Sequence, residues 1–222
     1  MQAMLSAARR VVYLHGFASS ARSTKADFFA ERLLARGVAF QSPDFNEPDF
    51  AMLTMTRMLE RLAREIKASG ERPVTLMGSS LGGTLAILAA ARMARLVDRV
   101  VLMAPAVMFA KPGHHLLPPE RIAIWRHQGS MPFFHHAYNE ERSLSYGFYE
   151  DTLQYDAFNA VFHQPTLVFQ GLRDTAVNHR TVEQFARDHL GVTLSLLDDD
   201  HQLIASLPRM WDDIEAFIGL VP

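Results

Sequence analysis

The sequence contains no cysteine. Without thiols the chain has no disulfide, no thiolate metal site and no cysteine nucleophile, so any covalent catalysis must use an oxygen or nitrogen nucleophile. A long apolar run is also missing, and the opening stretch MQAMLSAARRVVYLHGF has no apolar segment behind a basic start. The sequence therefore predicts neither a membrane span nor a secretory signal, and we expect a cytoplasmic protein.

An excess of charge of one sign is missing too. The 222 residues include 22 Lys and Arg against 24 Asp and Glu, a formal net charge of −2. This balance lacks the basic patch of nucleic-acid-binding proteins, so we expect a small molecule and not a nucleic acid as the partner. The length and a hydrophobic share of 49% are typical of one packed globular domain. The oligomeric state stays open.

Six short apolar segments alternate with longer amphipathic ones along the chain. They are residues 11–14, 38–41, 74–77, 100–103, 166–170 and 193–197. Several are apolar at successive positions, which is typical of strands covered on both faces, and the intervening segments have the 3.6-residue spacing of helices. The pattern predicts a single α/β domain with a parallel sheet of about six strands, flanked by helices.

Residues 109–162 interrupt this alternation. The segment is rich in proline and aromatic residues and carries two adjacent-histidine pairs, His114 with His115 and His135 with His136. A connection of this length inside a compact domain usually carries a function, so we expect a short lid-like insertion. Its aromatic side chains either line an apolar pocket or pack the insertion onto the core. A metal site is disfavoured, because adjacent histidines diverge and no zinc-site spacing accompanies them.

One short motif points to chemistry. Residues 74–83, VTLMGSSLGG, place Gly78-x-Ser80-x-Gly82 between a predicted strand and an apolar helix. In a sharp strand-to-helix turn the serine hydroxyl is exposed on a strained backbone, and glycines two positions away on either side avoid a steric clash. The alternative is a glycine-rich turn whose serine only caps the next helix. The flanking strand and helix favour Ser80 as a nucleophile.

With this motif the chain resembles the α/β-hydrolase superfamily, and within it the small bacterial-type serine esterases, from residue 11 to the C-terminal helix. Those enzymes carry their catalytic residues in the order serine, acid, histidine, with an oxyanion loop ahead of them. Here the sequence HGF at residues 15–17 follows the first strand, Asp174 follows the fifth in a Gly-x-x-Asp turn, and His201 follows the last. The resemblance implies a triad of Ser80, Asp174 and His201.

The resemblance also implies an oxyanion hole formed by the backbone N–H groups of Phe17 and Leu81. His15 is interpreted as a structural residue beneath this loop and not as a catalytic group. A further likeness to the small esterases is the Ser-x-Lys stretch at residues 23–25, which follows the early HGF loop. We expect no cofactor and no metal.

The choice of the acid has alternatives. Asp174 could serve only its own turn, for which aspartate is a favoured residue. Asp198, Asp199 and Asp200 directly precede His201 and compete as its carboxylate partner. We interpret these three as solvated loop residues or caps, and Asp174 as the acid.

The expected reaction is hydrolysis of a carboxylic ester or thioester through an acyl-enzyme, with a small-molecule acyl ester or thioester as the substrate. Peptidase and acyltransferase branches of the superfamily stay open. So does a non-catalytic binding module that has kept the fold, because fold does not fix function. The acyl group and the leaving group are not specified by the sequence.

Overall fold

A computed structural model describes residues 9–68, 70, 72–111, 113–114 and 116–220. Six of its strands form one sheet in the order β2-β1-β3-β4-β7-β8, and every neighbouring pair is parallel. The remaining two strands, β5 and β6, pair with each other in an antiparallel hairpin. The strands are β1 (Arg10–Leu14), β2 (Ala39–Gln41), β3 (Val74–Ser79), β4 (Val97–Met103), β5 (Ser130–His135), β6 (Glu140–Ser145), β7 (Thr166–Gly171) and β8 (Val192–Leu197).

The predicted parallel sheet of six strands is confirmed; one end of each strand differs from the prediction, by one or two residues in most strands and by three in β4. Strand β4 begins at Val97 and not at residue 100, because its polar start at Asp98 and Arg99 hides the strand from an apolar pattern. The Thr75 hydroxyl donates a hydrogen bond of 2.9 Å to the Asp98 carboxylate, beside a register shift between Val74 and Thr75. The carboxylate at the polar start of β4 therefore has a hydrogen-bond donor in the neighbouring strand β3.

Helices cover both faces of this sheet. They are α1 (Thr24–Ala35), α2 (Met55–Lys67), α3 (Leu81–Arg92), α4 (Pro119–Gln128), α5 (Gly147–Thr152), α6 (His179–Asp188) and α7 (Leu207–Phe217). The apolar side chains of α1 and α7 join one buried cluster, and those of α2, α3 and α6 join the other. Helix α3 is buried on nearly all sides, as its apolar sequence predicts.

The insertion has regular structure that the sequence pattern did not reveal. It contains α4, the β5–β6 hairpin and α5, and its side chains Trp125, Met131, Leu144 and Phe148 are buried in the same core cluster as α2 and α3. The insertion is therefore packed onto the sheet domain as part of one core. No helix in the described part of the chain is both long enough and apolar enough to cross a membrane.

Candidate active site

Ser80 lies at the sharp turn between β3 and α3. Its backbone has φ 54° and ψ −116°, a conformation with positive φ that a residue with a Cβ rarely adopts. Two backbone hydrogen bonds hold it there: the Ser80 N–H donates to Met103 O at 2.9 Å, and the Ala106 N–H donates to Ser80 O at 3.1 Å. Neighbouring strand β4 and the loop after it therefore enforce the strained turn.

The glycines of the motif are required by close backbone contacts. A Cβ on Gly78 would lie 2.3 Å from Gly82 O, and a Cβ on Gly82 would lie 2.0 Å from Leu14 O at the end of β1. The Ser80 side chain makes no capping hydrogen bond to α3. The alternative of a serine that only caps the next helix therefore does not describe this turn.

His201 lies between Ser80 and Asp174. Its Nε2 atom is 3.1 Å from Ser80 Oγ, and its Nδ1 atom is 2.8 Å from Asp174 Oδ2. Because a carboxylate can only accept, Nδ1 carries the proton in the neutral ring and Nε2 is left as the acceptor for the serine hydroxyl. The three residues that the resemblance implies are thus brought together, across 121 residues between Ser80 and His201.

The Asp174 carboxylate is fully enclosed and accepts hydrogen bonds on both oxygens. Oδ1 accepts from the N–H groups of Ala176 and Val177, each at 2.8 Å, and Oδ2 accepts from Gln170 Nε2 at 2.9 Å as well as from His201. Burial acts to raise the pKa of Asp174, but these hydrogen bonds outweigh it and leave the pKa below its ordinary value. The group is therefore ionised at neutral pH.

Gln170 is a site residue that the sequence did not predict. It lies in β7, is completely buried, and also donates to the carbonyl oxygens of Gly171 and Val177. Its side-chain amide thus orients the Asp174 carboxylate within its turn. The signal available in the sequence was a lone polar residue at the end of an otherwise apolar strand.

The three aspartates before His201 have other roles. The Asp199 carboxylate accepts from the N–H groups of Asp200 and Ser206, at 2.8 and 2.9 Å. Asp199 is 5% exposed, so of the two roles expected for these aspartates, solvated loop residue or cap, it has that of a cap. Asp198 is exposed and pairs with Arg173, and Asp200 accepts from the Gln202 N–H.

The HGF loop lies directly beside the serine. A Cβ on Gly16 would lie 3.4 Å from the Cβ of Ser80, so only a very small residue lets the loop approach this closely. Within the described residues, no atom accepts a hydrogen bond from the Phe17 N–H. Leu81 is the first residue of α3, where N–H groups lack an intrahelical acceptor. The HGF loop and the start of α3 therefore each offer a backbone N–H group in a segment adjacent to Ser80.

His15 supports this loop from below. The ring is 1% exposed; its Nδ1 donates to Gly16 O at 2.9 Å, and its Nε2 accepts from the Phe45 N–H at 3.0 Å. Both ring nitrogens are occupied by backbone groups, and neither hydrogen bond reaches Ser80. These contacts agree with the interpretation of His15 as a structural residue.

The aromatic residues of the insertion pack beneath the HGF loop. The Phe17 ring lies 5.5 Å from the rings of both Phe133 and Phe148, and 5.8 Å from that of Phe50. The His136 N–H also donates to Ala18 O at 2.9 Å. Most of these aromatic residues pack onto the core, whereas Phe109 also lines the cleft beside Ser80, and Phe134 and Tyr138 are exposed.

A cleft of about 1070 Å³ opens above Ser80. Its apolar wall comes mainly from the loop after β4 and the start of the insertion, and its polar wall comes from the start of α1 and from the loops that carry Asp174 and His201. The apolar part includes Phe17, Val107, Met108, Phe109, Leu116 and Val177, and the polar part includes Ser20, Arg22, Lys25, Thr175, Asn178 and Gln202. The cleft can take an extended small molecule with one apolar end.

The adjacent-histidine pairs do not form a metal-ligand set within the described ranges. No group of three or more His, Asp or Glu side chains converges there in a way that would hold an ion. His135 is buried against Phe50 and Tyr138, His136 lines the cleft, and His115 lies outside the described residues.

Solved structures share this fold at low sequence identity. Est1E from Butyrivibrio proteoclasticus with bound ferulic acid superposes with a TM-score of 0.82 at 20% identity, over 95% of this chain and 88% of that one. Alpha/beta hydrolase domain-containing protein 10 from mouse gives 0.78 at 21% identity, over 94% and 89%. A putative hydrolase from Agrobacterium vitis S4 gives 0.78 at 22% identity, over 94% and 87%.

Sequence comparison gives the family. No curated protein is significantly similar to the chain. The sequence profile of the family described as "Uncharacterised protein family (UPF0227)" matches residues 10–218, which span the whole sheet and every residue of the Ser80 site. The chain therefore belongs to the UPF0227 family, and its fold is the one that these hydrolase structures share.

Proposed function

We propose that this protein is a serine hydrolase that cleaves a small carboxylic ester or thioester through an acyl-enzyme. The observation that carries the proposal is the continuous relay from Ser80 Oγ to His201 Nε2, at 3.1 Å, and from His201 Nδ1 to Asp174 Oδ2, at 2.8 Å. A serine hydroxyl is a poor nucleophile at neutral pH unless a base within hydrogen-bond distance takes its proton. A cytoplasmic location remains part of this proposal.

Acylation begins at Ser80. Its Oγ attacks the acyl carbon while His201 Nε2 takes the hydroxyl proton, and the imidazolium that forms is stabilised by the ionised Asp174. The negative charge on the former carbonyl oxygen is met by the N–H groups of Phe17 and Leu81, each worth about 3 kcal/mol in such sites. The bond to the leaving group then breaks, and His201 returns the proton to the departing oxygen or sulfur.

Deacylation repeats these steps with water. His201 Nε2 removes a proton from water, the resulting hydroxide attacks the acyl-enzyme, and the second oxyanion collapses to release the acid and restore the Ser80 hydroxyl. Support for an ester substrate comes from the cleft, whose apolar wall suits an acyl chain or ring. The structurally similar Est1E binds ferulic acid, an aromatic carboxylic acid, which is a product of the class that this reaction would release.

The test compares wild type with Ser80→Ala and with the matched control Ser143→Ala, which changes an exposed serine of β6. Wild type and the control are expected to hydrolyse a short-chain nitrophenyl ester and to be labelled by a serine-directed fluorophosphonate. Ser80→Ala is expected to lose labelling and at least about 10³-fold of the turnover. Equal behaviour of wild type and Ser80→Ala would leave a non-catalytic binding module as the better description.

A further inference from the structure

Lys25 connects two segments of the site that lie far apart in sequence. It is the second residue of α1, the helix that follows the oxyanion loop, and its Nζ donates a 2.8 Å hydrogen bond to the backbone carbonyl of Gln202. That carbonyl belongs to the residue directly after His201. The hydrogen bond spans 177 residues of sequence and joins α1 to the loop that carries His201.

Lys25 is held there at an energetic cost. Its side chain is almost completely buried, with 7% of the residue exposed. Burial lowers the pKa of Lys25 to about 8, and the carboxylates of Asp200, Asp199 and Asp174 oppose this lowering without cancelling it. An apolar side chain of similar length would avoid this cost, so stability alone does not account for a lysine at this position.

Besides its internal hydrogen bonds, the loop that carries His201 is also held by the turn after β7. The Arg173 N–H donates to Asp199 O at 3.0 Å, and a Cβ on Gly171 would lie 2.5 Å from that same oxygen. These contacts fix the loop before His201. Lys25 holds it directly after His201, where Leu203 has a positive φ of 55°.

Lys25 lies in the first turn of α1, and the start of this helix is capped. The Ser23 side chain caps α1 by accepting from the Ala26 N–H at 3.2 Å. The Tyr13 phenol is completely buried beside the Ser23 and Ser79 hydroxyls, the latter directly before Ser80. The start of α1 therefore packs next to the turn that carries Ser80.

We infer that Lys25 is a positioning residue, which fixes the loop of His201 so that His201 Nε2 stays within hydrogen-bond distance of Ser80 Oγ. The inference rests on the proposed function, since it assigns a role within the same reaction. The inference explains both ends of the Ser-x-Lys stretch. Ser23 caps the start of α1, and Lys25 holds the loop that carries His201.

The experiment measures kcat, KM and Tm for Lys25→Met and Lys25→Arg with a nitrophenyl ester, and counts active sites by fluorophosphonate labelling. Lys25→Met removes the donor but keeps the length, so kcat per labelled site is expected to fall roughly tenfold to hundredfold, with KM within about twofold. Because a buried charge is removed, Tm is expected to stay level or to rise. Lys25→Arg keeps charge and donor and is expected to recover most of the lost kcat.

The matched control is Lys67→Met, at the exposed end of α2, which is expected to leave all these quantities unchanged. The inference is overturned if Lys25→Met keeps wild-type kcat, or if its loss of activity follows a lower Tm and fewer labelled sites, as for a merely structural residue. A wild-type protein that neither turns over the ester nor becomes labelled overturns the proposed function itself, which is a different result.

Discussion

The backbone of Ser80 is strained, and its side chain lines the cleft. A non-glycine residue at φ 54° and ψ −116° lowers the free energy of unfolding by on the order of 1–3 kcal/mol. The turn persists because its hydrogen bonds to β4 and to the loop after β4 hold the backbone in this conformation. The proposed nucleophile is thus held in a conformation that lowers stability, which is a common arrangement at catalytic positions.

Ser80→Gly is therefore expected to be inactive and more stable. Glycine adopts positive φ without a steric penalty, which stabilises the folded state, but its larger conformational entropy also stabilises the unfolded chain. We expect a net gain of roughly 0.5–2 kcal/mol in the free energy of unfolding. Urea denaturation of Ser80→Gly beside Ser80→Ala measures this, since alanine keeps the Cβ and is expected to show no such gain. A glycine variant that is less stable than the alanine variant would contradict the strain at this turn.

The choice of Asp174 as the acid is tested by a pair of amide substitutions. Asp174→Asn places an amide against the donors of His201 and Gln170 and disfavours the ring tautomer that the triad needs, so kcat is expected to fall by about 10³–10⁴. Asp198→Asn changes an exposed side chain and is expected to keep turnover. The reverse outcome in steady-state kinetics would assign the acid to the loop before His201.

The raised pKa of Tyr13 predicts how the free energy of unfolding changes at alkaline pH. Burial raises its pKa from 10.0 to about 12, so its contribution is fully present below pH 10 and is lost as the pH rises towards 12, by about 3 kcal/mol. Lys25 acts oppositely: its pKa is lowered from 10.5 to about 8, so its contribution rises with pH between those values. Above pH 10.5 the contribution from Lys25 no longer changes, while the loss from Tyr13 continues.

Urea denaturation at a series of pH values between 10.5 and 12 checks the Tyr13 prediction. Tyr13→Phe is expected to start from a lower stability, because it removes the phenolic hydroxyl from beside the buried Ser23 and Ser79 side chains, but its stability is expected to decline less steeply with pH. Tyr138→Phe, on a side chain that is 43% exposed, serves as the control and is expected to keep the wild-type slope. An unchanged slope in Tyr13→Phe would show that another group governs alkaline unfolding.

At the scale of elements, the insertion supports the oxyanion loop. Helix α5 and strand β5 place Phe148 and Phe133 against the Phe17 ring, and the hairpin donates from His136 N–H to the carbonyl of Ala18. The N–H that is proposed to meet the oxyanion therefore depends on an element that is outside the sheet.

Phe148→Leu is expected to reduce kcat about tenfold, because it removes ring contacts that hold Phe17 in place. The matched control Phe162→Leu removes a buried ring that packs against Phe185 and His189. Both substitutions are expected to cost roughly 1–2 kcal/mol of stability, but only Phe148→Leu is expected to change kcat. Equal kcat values in the two variants, normalised to folded protein, would show that the insertion does not influence the HGF loop.

The strands of the parallel sheet were predictable, and the hairpin was not. Buried parallel strands are apolar on successive residues, as in β3 and β7, so composition alone marks them. In the hairpin, β5 contains Pro132, β6 is mostly polar, and the turn between them closes on Asn139 at φ 52° without an Asn-Gly pair. Its formation depends on Met131 and Leu144 being buried against the core, and local sequence does not encode that contact.

At the scale of the whole molecule, the order of strands explains why the site residues could be predicted. Ser80, Asp174 and His201 each follow the carboxyl end of a strand, and parallel strands bring those ends to one edge of the sheet. The partners of these residues could not be predicted in the same way. Gln170 and Lys25 act through contacts that depend on side-chain direction and loop path, which strand order does not specify.

The long sequence separations within the site have a consequence for biosynthesis. The ribosome makes Ser80 121 residues before His201, and the helix that carries Lys25 177 residues before the carbonyl it holds. A nascent chain, or one cut short by a premature stop codon, would have the proposed nucleophile without its proposed base. If the protein is the hydrolase proposed above, unfinished chains would therefore be inactive until the C-terminal strand and loop have left the exit tunnel.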